Sequence, residues 1–412
     1  MKFNNINDVL DYIEHKTNFQ LGLLRVKKFL ELCNIPYEKL KYLHIGGTNG
    51  KGSVTFYLSN ILINSGYKTG MFSSPSIEGH NDRIRINNEF ISDDDIIAFV
   101  NEYYNIIEET EVTMFEIDVL MALDYFCKNS VDICVMEVGM GGRYDGTNII
   151  NPLVSVITNI GLDHQAYLGD TKEEIALTKA GIIKENGIIV TGEEDINCLK
   201  VIKDEANKLN AQVIETKKAE VKSLNPIIFT YLNYQNIELK SLANYQIKNV
   251  SVVLEVINIL NIKYNFNIKE DVIRCTLLNV VWPGRFEIIS YNPFIVLDGA
   301  HNEEGVKELV GTLSKFNNYH KTIMFAALKD KPTDKMVQML IDSHSEVVIS
   351  EFDFYRVKKA KDINKNFNLM VTRNFAQYIK DKKKMMNEDD MFIITGSLYF
   401  ITEVRKLLLA DN

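Results

Sequence analysis

The chain has 412 residues, of which 46% are hydrophobic and 25% are charged, and its formal net charge at pH 7 is −9. This length favours two domains, with three as the alternative, each large enough to bury its own core. The acidic balance and the lack of a long basic run argue against nonspecific binding to nucleic acid. No segment approaches the ~20 apolar residues of a membrane helix, and the scattered cysteines, with no CxxC pair, fit reduced core residues. We therefore expect a cytoplasmic protein.

A glycine-rich turn between a predicted strand and a predicted helix is the first strong signal. Residues 42–45 form an apolar run, and apolar residues recur at helical spacing over residues 54–65, with GTNGKGS at residues 47–53 between them. Glycines let the backbone approach an anion, and Lys51 adds a positive charge, so the pattern predicts a phosphate-binding loop. It is a variant, since the strict pattern requires glycine in place of Ile45 and Ser or Thr in place of Gly52. The alternative is a glycine-rich turn with a solvated lysine.

Strand and helix patterns alternate along the rest of the chain. The first series predicts strands at residues 68–73, 132–137, 154–158 and 188–191 and helices at 93–109 and 115–128. The second series predicts strands at residues 294–297, 322–327, 346–350, 367–371 and 391–395. Alternation of this kind is typical of an α/β fold with a mostly parallel sheet.

We place the hinge between two domains at residues 282–286, where a Pro-Gly pair interrupts regular structure. Residues 1–283 are expected to form a P-loop ATPase domain with a mostly parallel sheet. Residues 284–412 are expected to form a smaller Rossmann-like α/β domain. Residues 217–240, which are rich in alternating apolar residues, are expected to be a β-excursion of the first domain.

Chemically active residues follow the predicted strand ends of the first series. Glu137 ends one strand and precedes a glycine-rich segment, and an acid at a strand tip beside a phosphate loop can hold Mg²⁺. His164 follows the next strand, where it is either a metal ligand or a structural histidine. Lys179 lies in the last turn of a predicted helix, where its position by itself indicates a lysine that complements the helix dipole.

Nine motifs together resemble the folylpolyglutamate synthase and dihydrofolate synthase family, a branch of the Mur ligases. They are GTNGKGS (47–53), SSP (73–75), FE (115–116), EVGMGGRYDGTN (137–148), NIGLDH (159–164), KAGI (179–182), PGRFE (283–287), LDGAHN (297–302) and TGS (395–397). They occur in the family order over nearly the whole chain. The chain departs from the family pattern after Pro75, where Ser76 and Ile77 stand in place of His and Leu.

The resemblance implies an ATP site between the two domains and two Mg²⁺ ions. The implied ATP contacts are Asn49, Gly50, Lys51, Gly52, Asn249, Arg285 and Asp298. One Mg²⁺ would be held by Ser53, Ser74 and Glu137, and the other by Glu137, His164 and Lys179. Lys179 would carry a carbamoyl group derived from CO₂, which turns a cation into an oxygen ligand. The implied catalytic residues are Lys51, Glu137, His164, Lys179 and Arg285.

The reaction implied by the resemblance adds L-glutamate to the terminal γ-carboxylate of a folate through an acyl phosphate. The implied folate contacts are Thr113, Met114, Phe115, Glu116, Tyr144, Asp145 and Gly146, although Phe115 is equally well interpreted as a core residue at a helix start. LDGAHN is expected to border the incoming glutamate, with no role assigned to His301. Dihydropteroate is an alternative substrate, and a monomer is implied.

Two other functions fit these residues less well than a folate ligase. A cell-wall ligase acting on a UDP-sugar peptide is disfavoured because the GKGS and KAGI segments follow the folate branch. A nucleotide-binding regulator without catalysis is disfavoured because Lys51, Glu137, His164, Lys179 and Asp298 are all present.

Overall fold

The computed structural model describes residues 3–17 and 22–410, and these divide into two compact units. The first unit takes the described residues up to Ala219 together with Lys248–Leu277, and the second takes Glu220–Ile247 together with the described residues from Leu278 onward. None of the helices in the described ranges combines the length and apolar character needed to cross a bilayer.

The first unit is built on an eight-stranded sheet. Its strands are β1 (Tyr42–Gly46), β2 (Thr69–Phe72), β3 (Ile84–Ile86), β4 (Glu89–Phe90), β5 (Ile133–Glu137), β6 (Val154–Ile157), β7 (Ile188–Thr191) and β8 (Gln212–Glu215). The helices of this part of the chain are α1 (Ile6–Glu14), α2 (Leu24–Cys33), α3 (Lys51–Asn64), α4 (Asp93–Thr110), α5 (Met114–Lys128), α6 (Gln165–Leu168), α7 (Lys172–Ala180), α8 (Ile196–Lys208), α9 (Gln246–Tyr264) and α10 (Glu270–Asn279).

The strand order of this sheet positions the candidate site. The order is β4-β3-β2-β5-β1-β6-β7-β8. The six strands β2, β5, β1, β6, β7 and β8 are parallel, while β3 and β4 are antiparallel additions at one edge. Ile45 pairs with Glu137, and Gly46 pairs with Ile157. The segments that follow β2, β5, β1 and β6 therefore leave the sheet side by side, at the edge where ligands of such folds bind.

The second unit contains two sheets. Its strands are β9 (Glu220–Leu224), β10 (Ile227–Tyr231), β11 (Tyr234–Leu239), β12 (Glu287–Tyr291), β13 (Phe294–Leu297), β14 (His320–Phe325), β15 (Glu346–Ser350), β16 (Met370–Thr372) and β17 (Asp390–Thr395). Its helices are α11 (Glu303–Leu313), α12 (Asp334–Asp342), α13 (Ala360–Ile363), α14 (Phe375–Met385) and α15 (Leu398–Ala410). Strands β9 to β11 form an antiparallel sheet, and the other six follow the order β12-β13-β17-β14-β15-β16, parallel except for β12.

Helices cover both faces of the six-stranded sheet because its strands are apolar on both sides. Along β13, Phe294 and Val296 belong to the core that includes α11 and α12, whereas Ile295 and Leu297 belong to the core that includes α15. Successive side chains of a strand point to opposite faces, so an uninterrupted apolar run predicts a strand buried between two helical layers.

The predicted fold class is confirmed: two α/β parts with mostly parallel sheets. Three further strands of the first sheet, β3, β4 and β8, were not predicted, since runs of two to four residues carry too little periodicity. The predicted domain boundary between residues 283 and 284 stays a prediction. Residues 217–240 were expected to be a β-excursion of the first domain. Glu220–Ile247 do contain β-strands, but they belong to the second unit. Within that unit, Lys315 Nζ donates to the carbonyl of Leu224 at 2.9 Å.

Candidate active site

The glycine-rich turn joins β1 to the start of α3, as predicted. Gly47 and Gly50 have φ of +138° and +85°, a region that side chains other than glycine disfavour. Both are also closely packed, since a Cβ atom on Gly50 would lie 2.3 Å from Asn249 Oδ1 and one on Gly47 would lie 1.9 Å from Thr158 Oγ1. Lys51 Nζ donates to the carbonyls of Gly47 and Thr48, each at 3.1 Å. The turn therefore has the tight backbone and local cation that phosphate binding requires.

Residues after β6 brace this turn from the neighbouring strand. Asn49 N donates to Asn159 Oδ1 at 2.8 Å, and Thr158 Oγ1 donates to the Asn49 carbonyl at 2.6 Å. Thr48 Oγ1 accepts a hydrogen bond from Gly161 N at 2.9 Å. Sequence reasoning identified the NIGLDH segment but missed this bracing role. The signal available in the sequence was local: the polar residues Thr158 and Asn159 directly follow an apolar strand run.

Replacing Gly50 with alanine is expected to weaken nucleotide binding about tenfold or more, because a methyl group both strains the left-handed backbone and displaces Asn249. Titration with a fluorescent ATP analogue measures the effect. Gly66→Ala is the matched control, since Gly66 has φ of +90° but no atom within 4 Å of an added Cβ. Equal losses of nucleotide affinity in the two variants would contradict the packing role of Gly50.

Lys179 lies beneath the turn. It comes from the last turn of α7, is buried, and its Nζ donates to the Gly47 carbonyl at 2.7 Å. The pKa of Lys179 is lowered to about 7, mainly by burial and also by the charge of Lys51, while the charges of Asp163 and Asp145 act in the opposite direction. Position in the helix by itself indicated a lysine that complements the helix dipole, but the fold places this lysine against the phosphate-binding turn.

The residues predicted to hold metal are Ser53, Ser74, Glu137, His164 and Lys179. Glu137 is buried at the end of β5, and its Oε2 accepts a hydrogen bond from Ser74 N at 3.2 Å. Ser53 is buried in the first turn of α3, and His164 immediately precedes α6. Among the described residues, no three His, Cys, Asp or Glu side chains form a metal cluster. A cation here would depend on one carboxylate, hydroxyl groups and an imidazole, a set that suits Mg²⁺ when other oxygen donors complete it.

The two predicted folate segments lie next to each other at the start of α5 and after the glycine-rich segment that follows β5. A Cβ atom on Gly146 would lie 3.6 Å from Glu116 Cγ, and one on Gly139 would lie 2.5 Å from the Phe115 ring. Phe115 also packs edge-on against Phe72, with ring centroids 5.8 Å apart. Phe115 is therefore compatible with a core residue and with a folate contact, since its ring packs against Phe72 and also borders the glycine-rich segment at Gly139.

Both carboxylate side chains among the predicted folate contacts, Glu116 and Asp145, accept hydrogen bonds within the protein. Glu116 Oε2 accepts hydrogen bonds from Thr113 N and Oγ1, both at 2.8 Å, in a capping box, and its carboxylate also pairs with Arg25 at 3.1 Å. Asp145 accepts hydrogen bonds from Met140 N at 2.8 Å and Thr147 N at 3.0 Å, and burial raises its pKa. These carboxylates shape the two segments. The nearby Tyr144 is half exposed.

Asp298 organises the segment before β12 in the second unit. It is buried after β13, and its Oδ2 accepts hydrogen bonds from Tyr245 Oη at 2.7 Å and Phe286 N at 2.9 Å. Burial raises the pKa of Asp298, while the Tyr245 hydrogen bond and the Arg285 charge act in the opposite direction. Sequence reasoning missed Tyr245, which lies 53 residues before its partner. His301 Nδ1 lies 2.8 Å from the Gly299 carbonyl.

Tyr245→Phe is expected to destabilise the second unit by about 1.5–3 kcal/mol, the usual contribution of a hydrogen bond to a charged group. Urea unfolding followed by the fluorescence of Trp282, which lies in this unit, measures the change. Tyr319→Phe is the matched control, because the Tyr319 ring packs edge-on against Phe294 in the same unit. A Tyr245→Phe variant no less stable than the control would contradict the role of this hydroxyl.

Comparison with known proteins assigns the chain to a family. Residues 45–263 match the Mur ligase middle domain, and residues 284–398 match the Mur ligase glutamate ligase domain. A dihydrofolate synthase/folylpolyglutamate synthase of Bacillus subtilis is 35% identical over 98% of this chain and 100% of that protein.

Solved structures agree with this assignment. The crystal structure of a folylpolyglutamate synthase from Thermotoga maritima has a TM-score of 0.85 and 33% identity, covering 99% of this chain and 97% of that one. A bifunctional folylpolyglutamate synthase/dihydrofolate synthase from Yersinia pestis, complexed with AMPPNP and Mn ion, has a TM-score of 0.89 and 27% identity, covering 98% of each chain. The chain therefore belongs to the Mur ligases, within the family of folylpolyglutamate and dihydrofolate synthases, which are ATP-dependent ligases that form carbon–nitrogen bonds.

Proposed function

We propose that this protein is a folylpolyglutamate synthase, which joins L-glutamate to the terminal γ-carboxylate of a reduced folate at the expense of ATP. The observation that carries the proposal is the arrangement at one edge of the first sheet. The phosphate-binding turn, Glu137 and Lys179 come from three separate segments and meet there, with Lys179 Nζ 2.7 Å from the Gly47 carbonyl. The names of the relatives supply the substrate class.

The proposed chemistry has two steps. The folate carboxylate attacks the γ-phosphorus of ATP, so an acyl phosphate forms and ADP leaves. The amino group of glutamate then attacks the acyl carbon, so an amide forms and inorganic phosphate leaves. Phosphoryl transfer depends mainly on positioning and charge neutralisation, a role that fits Lys51 and the start of α3. Asn49, Gly50, Gly52 and Asn249, with Arg285 and Asp298 in the second unit, are the other proposed ATP contacts.

Two divalent cations are part of this proposal. When bound, they would neutralise charge on the phosphates. Ser53, Ser74 and Glu137 would hold one, and Glu137, His164 and Lys179 would hold the other. The buried carboxylate of Glu137, already linked to the backbone of Ser74, supports the first set.

Lys179 is proposed to carry a carbamoyl group. An ammonium group repels a metal cation, whereas a carbamate presents oxygen donors. Formation of a carbamate joins the amine nitrogen to the carbon of CO₂ and releases one proton. The support is positional: the side chain is buried, extends to the phosphate-binding turn, and lies near another cation, Lys51.

Thr113, Met114, Phe115 and Glu116, with Tyr144, Asp145 and Gly146, remain the proposed folate contacts. Their support is that the two segments lie side by side. Because Glu116 and Asp145 already accept protein hydrogen bonds, we infer that they hold these segments in shape for the folate. A cytoplasmic location and a monomeric state stay predictions.

Dihydropteroate is the second candidate substrate, favoured by the double name of the Bacillus subtilis relative. Both reactions use the same activation step and differ in the carboxylate that is offered. Phosphate release from ATP, measured with purified protein, L-glutamate and either tetrahydrofolate or dihydropteroate, separates the two. Activity with tetrahydrofolate alone would exclude the bifunctional enzyme, and activity with neither would overturn the proposal.

A further inference from the structure

The loop of residues 73–83, which joins β2 to β3, is folded around buried polar contacts. Asp82 Oδ2 accepts hydrogen bonds from Ile77 N and Glu78 N, each at 2.6 Å, and Ser73 N donates to the Arg83 carbonyl at 2.9 Å. At its start, Ser74 N donates to Glu137. The geometry of this loop therefore determines where the backbone and hydroxyl of Ser74 lie.

A second contact fastens the far end of this loop to α5. His80 Nε2 lies 2.8 Å from Asp118 Oδ1, and Asp118 is 1% exposed. Arg83 Nη1 lies 3.6 Å from Asp118 Oδ2, an electrostatic contact too long for a hydrogen bond. Asp118 Oδ2 and Arg83 Nε have no hydrogen-bond partner in the described part of the chain. In the part of the chain that the structure describes, His80 is thus the hydrogen-bond partner of the deeply buried Asp118 carboxylate.

Loss of the His80 side chain would leave Asp118 without this bond in a site that excludes water. An unsatisfied buried charge is costly, so the loop is held in place for as long as the contact exists. The bond between Glu78 and Gly79, at the tip, is exposed. The loop therefore combines an accessible tip with a buried polar attachment to α5.

We propose that His80 and Asp118 form a latch that holds the 73–83 loop on α5 and thereby positions Ser74. Both are positioning residues, and the consequence for catalysis rests on the proposed function of Ser74 as a metal ligand. His80 lies in the same loop as Ser76 and Ile77, where the chain departs from the family pattern.

The latch is expected to weaken as the pH rises. Burial acts to lower the pKa of His80, but the charge and hydrogen bond of Asp118 raise it above the usual histidine value, aided by Glu14 on α1 and opposed by Arg83. A raised folded-state pKa means that the charged contact is complete at low pH and is lost as the pH rises through that pKa. The neutral imidazole can still donate a hydrogen bond, so the contact weakens rather than disappears.

Cleavage after Glu78 by a glutamate-specific protease, identified by mass spectrometry, tests the latch in the intact protein. His80→Ala is expected to be cut about tenfold faster than the wild type, because it loses a charge-assisted hydrogen bond. His80→Gln keeps a donor that does not titrate, so it should be cut slowly, and the ratio of wild-type to His80→Gln rates should rise with pH. Asp124→Asn is the matched control, because Asp124 is another buried carboxylate of α5 and pairs with Lys128 outside the loop.

The catalytic consequence has its own readouts. In His80→Ala, Mn²⁺ binding followed by electron paramagnetic resonance should weaken several-fold, His80→Gln should restore it, and ATP binding without metal should not change. The latch would be overturned if His80→Ala were cleaved at the wild-type rate, or if His80→Gln were cleaved as fast as His80→Ala. Unchanged Mn²⁺ affinity would overturn the positioning of Ser74. If no folate supports turnover, the proposed function fails, while the cleavage assay still decides the latch.

Discussion

Glu137→Gln is expected to reduce ATP-dependent phosphate release about a thousandfold, the size of effect seen when a group that stabilises transition-state charge is removed. Glutamine keeps the shape of the side chain but removes the charge that would hold a cation beside the phosphates. The variant should fold, because glutamine can still accept the hydrogen bond from Ser74 N. Single-turnover phosphate release at saturating ATP measures the change.

Asp132→Asn is the matched control for this variant. Asp132 directly precedes β5, at the opposite end of the strand from Glu137, and its carboxylate accepts a hydrogen bond from Lys68 N. Loss of a charge there should leave phosphate release within about twofold of wild type, since exposed charges beyond a Debye length are screened. A Glu137→Gln variant as active as this control would remove Glu137 from the metal site.

Lys179→Met is expected to lower phosphate release by at least about a hundredfold, because it removes the nitrogen proposed to carry the carbamoyl group while keeping an unbranched side chain. The wild type should also lose activity in buffer depleted of CO₂ and regain it when bicarbonate is added. The residual activity of the variant should not respond to bicarbonate. Carbon-13 NMR of protein equilibrated with labelled CO₂ provides a signal that is independent of activity.

Lys184→Met is the control for this experiment, because Lys184 is another lysine whose pKa is lowered by burial, to about 8, and its Nζ donates to Asn148 rather than to the turn. The carbamate signal should persist in that variant and vanish in Lys179→Met. Full activity of Lys179→Met, together with no labelled carbamate in the wild type, would rule out the modification.

Features that depend on local chemistry were predicted correctly. The strand at residues 42–45 and the helix that follows were visible from periodicity, and Gly47 and Gly50 indeed occupy backbone conformations that favour glycine. The strand-end position of Glu137 followed from the same alternation, because parallel strands deliver their carboxyl ends to one edge, whereas His164 lies beyond the end of β6, directly before α6.

Features that depend on partners distant in the chain were not predicted. The Glu116 carboxylate pairs with Arg25, which lies 91 residues earlier in the chain, and it also accepts a hydrogen bond from Thr113 N in a capping box. The carboxylate is therefore engaged within the protein, whereas the sequence analysis expected it to contact the folate. The bracing of Asn49 by Asn159 spans 110 residues and depends on β1 and β6 being neighbours. Strand order, which decides such contacts, leaves no mark in local periodicity.

The sequence by itself determined the alternating architecture, the phosphate-binding turn and the family, because glycine conformations, apolar periodicity and ordered motifs are properties of short segments. Only the tertiary structure decided that Lys179 extends beneath the turn, that β9 to β11 join the second unit, and that His80 fastens a loop to Asp118. The physical reason is that burial and pairing of charged side chains are set by which segments the fold brings together, and the charge of a side chain alone does not reveal its partner.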